Sequence, residues 1–174
     1  MVIVMNRVRL RMVQTMFFGI ISLLGSYTIS ISSGNENELE ILGDSDFESW
    51  YSDSKWNSSE IDDYESDISA CKMISEITAN DSITFLILAA SWCKDTKTEL
   101  PKIIKVMRDS EINSSSIILS GVGRDKKILN DTYKYLNITH VPTLIILRNN
   151  SEQGRIEEFP KICWEQDILE IISK

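Results

Sequence analysis

Residues 90–101 read ASWCKDTKTELP, and residues 140–147 read HVPTLIIL. The first stretch follows ITFLILAA (83–90), a run apolar at every other position and between, as in a strand buried on both faces of a sheet. Trp92 and Cys93 fall where that strand ends. A helix is expected from about Cys93 to Arg108, with Leu100, Ile103, Ile104 and Met107 turned inward at helical spacing. Pro101 stands eight positions after Cys93 and removes one helical hydrogen bond, which kinks the helix. Val141-Pro142-Thr143 directly precedes a further apolar strand, TLIILR (143–148). A C-x-x-C pair would need a second cysteine at position 96, and Thr96 stands there, so Cys93 is a lone thiol.

Working outward, Phe47, Trp50 and Tyr51 share one helical face, and Trp56 follows them. From Glu60 to Ile77 apolar residues recur at threes and fours (Ile61, Tyr64, Ile68, Cys71, Ile74, Ile77), predicting one amphipathic helix capped by Ser58 or Ser59. SIILSGV (116–122) reads as a strand, KKILNDTYKYL (126–136) as a short helix, and RIEEF (155–159) as an edge strand after the turn NNSEQG. WEQDILEIISK closes the chain as a helix. Strands joined through a helix run parallel, and strands joined by a tight turn run antiparallel. The fold class is therefore α/β: a central, mixed, four-stranded sheet flanked by helices on both faces.

The first 33 residues hold Arg7, Arg9 and Arg11, no acid, and the apolar run Met16 to Ile31. That is the layout of a signal peptide or an uncleaved N-terminal anchor, and it points to an exported, periplasmic or otherwise extracytoplasmic protein. Residues 34–46 read as an acidic linker, leading with the aromatic extension into a domain at 60–174. Without residues 1–33 the chain has 15 basic and 26 acidic residues, a formal net charge of −11, which disfavours nucleic acid and anionic membranes. Cys71, Cys93 and Cys163 are an odd number of cysteines. With one histidine, His140, they form no metal motif. The GVGRDKK turn has no phosphate-loop spacing. No metal or cofactor is expected.

The element order, Trp92-Cys93 at a strand-to-helix junction, Pro101, and Val141-Pro142-Thr143 before a strand together resemble the thioredoxin superfamily over about residues 60–174. The wording W-C-x-D-[ST]-x-x-E-[VL]-P, met by Asp95, Thr96, Glu99 and Pro101, is similar to a secreted Bacteroidetes-type branch that lacks the second cysteine. The resemblance implies a thioredoxin fold with a cis-proline loop at Val141-Pro142. It implies Cys93 as nucleophile, assisted by Thr96. Trp92, Val141, Pro142 and Thr143 would meet the substrate, and Asp95, Glu99 and Pro101 would shape the site.

A thiol attacks a disulfide as its thiolate, and a helix N-terminus offers that anion partial positive charge and free N–H groups. The Thr96 hydroxyl, one turn on, could donate to the same sulfur. A mixed disulfide at Cys93 could not be resolved from within the motif, so an outside thiol must complete the reaction. Cys163 is a candidate distant resolving thiol; Cys71, on an inward helix face, reads as core. A Cys71–Cys163 bridge is disfavoured if the first and last helices lie on opposite faces. The family's buried acid, six residues before the active cysteine, is Ile87 here, leaving Glu99 as a proton route. His140 reads as a solvated loop residue, with a pairing to Cys93 as the rarer alternative. Two functions stay open: monothiol thiol–disulfide exchange on proteins or small thiols, and a redox-silent binding module that uses the cis-proline edge.

Overall fold

The computed structural model describes residues 40–174; the segment read as signal or anchor lies outside them. Among the described residues no helix is long and apolar enough to cross a membrane. The central strand is β2 (Ile83–Ala89), after β1 (Gly43–Ser45), α1 (Phe47–Ser54) and α2 (Ile68–Thr78). Then come α3 (Lys94–Asp109), β3 (Ile117–Gly121), β4 (Thr143–Arg148), β5 (Ser151–Glu157) and α4 (Trp164–Ile172). The sheet order is β1-β3-β2-β4-β5. β2 runs parallel to β3, and β4 runs antiparallel to β5, as expected from their connections; β2 also pairs antiparallel with β4.

The sheet has five strands rather than four. The fifth is β1, which pairs antiparallel with β3, Gly43 facing Gly121. Residues 40–46 lie in the stretch read as a linker, where no apolar alternation marks a strand, because the pairing rests on backbone groups at a sheet edge. The backbone comes very close here: a Cβ on Gly121 would stand 2.3 Å from the Ile41 carbonyl oxygen, so only glycine fits.

Both faces of β2 are covered, which explains its unbroken apolar run. Phe85, Ile87 and Ala89, with Leu144 and Ile146 of β4, face one core. Trp50 and Tyr51 of α1, Cys71 and Ile74 of α2, five residues of α3 (Leu100, Ile103, Ile104, Val106 and Met107), and Trp164 and Ile168 of α4 fill it. Leu86, Leu88, Ile145 and Leu147 face a second core, closed by Val122, Ile128, Tyr133, Leu136, Ile138 and Val141. The four α-helices thus pack on one face of the sheet. The other is covered by the 122–142 segment, where the short helix expected at 126–136 is replaced by turns. Side chains take the backbone donors there: Asp125 accepts from Lys127 N–H (3.2 Å) and Asn130 from Thr132 N–H (2.9 Å), which competes with helix formation.

The helix expected over 60–77 is also divided. A 3₁₀ turn spans Ser58–Ile61. α2 starts only at Ile68, where the Asp67 carboxylate caps Ser69 and Ala70 N–H groups. The cap is Asp67 rather than Ser58 or Ser59.

Candidate functional site

Cys93 is the N-cap residue of α3, with extended backbone (φ −98°, ψ 126°) and no side-chain cap bond. Its N–H donates to Ala90 O (3.0 Å) and its carbonyl accepts from Lys97 N–H (3.1 Å), so the turn out of β2 and the first turn of α3 both fix its backbone. The half-buried thiol packs against the second core, and its Sγ donates to the Val141 carbonyl at 3.4 Å. The Val141–Pro142 peptide is cis. Pro142 O accepts from Glu158 N–H (2.8 Å), which ties this loop to the start of the β5–α4 connection. The structure therefore brings Cys93 together with Val141 and Pro142, 48 and more positions further along the chain.

Trp92 is held beside them. Its indole Nε1 donates to Val122 O (3.2 Å), and the Arg124 guanidinium lies 5.0 Å from its ring centroid, a cation–π contact. Arg124 was not singled out from sequence. The available signal was its place just after β3, at the same end of the sheet as Cys93, in the GVGRDKK turn.

Thr96 is fully buried, and its Oγ1 accepts from Ala90 N–H at 3.4 Å. This bond links the first turn of α3 to the end of β2. Thr143 is likewise fully buried and donates to His140 O (2.7 Å), so its hydroxyl shapes the proline loop rather than facing a ligand. Asp95 is half-buried in the first turn of α3, and Pro101 is buried inside that helix.

Glu99 is 4% exposed. Its Oε2 accepts from Trp164 Nε1 (2.9 Å) and its Oε1 from Lys102 Nζ (2.6 Å). Both oxygens hold α3 to α4 and to its own surface lysine, an arrangement that serves structure rather than a proton route to Cys93. Ile87, at the position of the family's buried acid, is fully buried in the first core.

Cys71, Cys93 and Cys163 are all free thiols. Burial pushes the Cys71 thiol up, with Glu165 and Asp109 adding and bonds to Ser110 and Ser66 opposing. Burial also raises Cys163, the N-cap residue of α4, against the Gln166 N–H and with Glu165 and Asp167 adding. Raised thiols ionise less and react more slowly. α2 and α4 lie on the same face, contrary to the expectation that set them apart: Glu165 accepts from Tyr64 Oη (2.8 Å) and Asp67 N–H (2.7 Å). His140 places Nδ1 2.9 Å from Thr139 Oγ1 and 3.9 Å from Glu157 Oε2.

A thioredoxin family model matches residues 46–170. No curated protein matches. Among solved structures, a Pseudomonas aeruginosa protein of unknown function is 13% identical at TM-score 0.46, over 67% of this chain and 77% of its own. An HIV epitope scaffold is 13% identical at TM-score 0.35, over 74% of this chain and 88% of its own. With the family match running from α1 into α4, over most of the described sheet and helices, the chain belongs to the thioredoxin superfamily.

Proposed function

We propose that this chain carries out thiol–disulfide exchange through Cys93 alone. The observation that carries the reading is the seating of Cys93 at the N-terminus of α3, with its Sγ 3.4 Å from the carbonyl that precedes the cis proline. A sulfur so placed sits beside an extended backbone edge where a substrate strand can pair.

The step balances without a cofactor. The Cys93 thiolate attacks one sulfur of a substrate disulfide. The S–S bond breaks, a Cys93–substrate disulfide forms, and the second substrate sulfur leaves as a thiolate that takes up a proton. Thr96 cannot resolve the intermediate. An outside thiol attacks the substrate sulfur, releases it as a new disulfide and returns Cys93 reduced. The reaction is mixed-disulfide reduction or isomerisation, and its partners are protein or small-molecule thiols and disulfides. Trp92, Val141 and Pro142 border the attacking sulfur and would orient the substrate.

We also read the chain as an exported member of the secreted Bacteroidetes-type branch with the W-C-x-D-[ST] pattern, residues 1–33 directing it to the periplasm or another extracytoplasmic space. A second reading, a redox-silent binding module, is favoured by the engagement of Thr96 with Ala90 and by the apolar Ile87. Trapping separates the two. Incubated with a glutathionylated peptide and no free thiol, the protein should form a mixed disulfide that maps to Cys93 and disappears when glutathione is added. An adduct only on Cys163, or none, would leave the binding module as the better reading.

A further inference from the structure

α3 presents a second feature beside Cys93. A groove of about 540 Å³ runs along it, with Tyr64 and Pro101 as apolar walls. Lys94, Lys97 and Thr98, spaced so that they share one side of the first two helical turns, line the groove, and Lys94 directly follows Cys93 in the chain. Most cations elsewhere on this acidic chain are engaged: Lys105 with Asp109, Lys134 with Asp131, Arg155 with Glu152, Arg148 with Asp81. Lys102, which also lines the groove, is held by Glu99. The exposed ammonium groups of Lys94 and Lys97 have no ion-pair partner among the described residues.

Resting on the exchange reading, we propose that this groove selects the substrate: a peptide with one or two carboxylates within about four residues of its disulfide-bonded cysteine. An extended chain advances about 3.4 Å per residue, so such a segment can leave Cys93 and lie along the first turns of α3. Its carboxylates meet Lys94 and Lys97 while its apolar atoms cover Tyr64 and Pro101. Glu60 and Asp63 also line the groove and repel a longer acidic run. The selected substrate therefore has a short acidic flank rather than a polyacidic one. Unpaired lysines beside the nucleophile also steer an anionic partner to an otherwise repelling surface.

The test uses two labelled peptides that differ only in flanking Asp or Lys residues, in two measurements at low ionic strength. Binding is measured by fluorescence anisotropy on the Cys93→Ser protein, which lacks the proposed nucleophile, with peptides whose cysteine is replaced by serine. Exchange is measured on the Cys93 protein with the cysteine peptides carrying a nitrothiobenzoate leaving group. The Asp peptide should bind about three- to tenfold more tightly, the range expected of a few exposed ion pairs. The preference should vanish or reverse in K94Q/K97Q, where Glu60 and Asp63 remain, and persist in K134Q/K174Q, which removes the same charge elsewhere. Equal binding of the two peptides, or a preference that survives K94Q/K97Q, overturns the assignment of the groove. Absence of nitrothiobenzoate release from both peptides overturns the exchange reading instead, and the binding arm still decides the groove.

Discussion

Glu99 carries a carboxylate into the helical layer of the core, where an indole N–H and a lysine ammonium meet it. Its removal leaves the buried Trp164 Nε1 without an acceptor and Lys102 without its partner. Hydrogen bonds to charged groups contribute about 1.5–3 kcal/mol, and an orphaned buried donor costs a similar amount. E99A should therefore lower stability by about 2–3 kcal/mol, read as a shift of the urea midpoint at unchanged slope. A proton-relay role would show in addition as slower exchange by the variant while it is still folded. At this scale much of the site was legible: Trp92, Cys93 and Pro142 stand in local patterns that name their neighbours. Arg124 over Trp92 and Trp164 on Glu99 were not, because each pair joins residues 30 or more positions apart with no periodicity linking them. The hydrogen bonds of Thr96 to Ala90 and of Thr143 to His140 were not legible either, since a hydroxyl beside a backbone N–H or carbonyl looks the same in sequence as one facing a ligand.

Strands and helices divide along similar lines. β2, β4, α3 and α4 were legible because each buries a continuous face, and burial leaves a pattern. β1 buries little and is held by its backbone pairing with β3, which residue types do not record. That pairing depends on Gly121, where an added Cβ would meet the Ile41 carbonyl at 2.3 Å and Ile41 C at 2.8 Å, both backbone atoms that cannot rotate away. Overpacking of this kind costs about 1–3 kcal/mol. G121A should lower stability by that amount and speed hydrogen exchange in residues 41–46, while α4, with no share in the contact, keeps its protection. Slow exchange at 41–46 in G121A would mean that β1 is anchored elsewhere, for example by the Ile41 N–H to Ser91 Oγ bond (3.1 Å). The 122–142 segment shows the opposite limit. Its apolar spacing fits a helix, and those same side chains do reach the second core, yet Asp125 and Asn130 bond to nearby backbone N–H groups and hold turns instead.

Across the whole molecule, the aromatic hydroxyls give stability an alkaline limit. Burial, with Glu60 adding and Arg108 opposing, pushes Tyr51 from 10.0 to about 12, and Tyr64 is raised further by burial and its bond to Glu165. A raised phenol favours the neutral folded form, so this contribution is fully present below pH 10 and is lost as pH climbs toward 12. The urea midpoint should fall across that interval. Y51F should flatten the fall, and because the buried Tyr51 hydroxyl has no hydrogen-bond partner among the described residues, it should cost nothing at neutral pH. Cys71 and Cys163 are raised in the same direction. The exchange proposal rests instead on the place of Cys93, beside the cis-proline loop and at the start of α3. The steady-state rate of glutathione-dependent reduction of a glutathionylated peptide, compared between the unmodified protein, C93A and C163A, tests that most directly. The account predicts turnover that is abolished in C93A and retained in C163A; turnover that survives C93A, or no turnover with the unmodified protein, would contradict it.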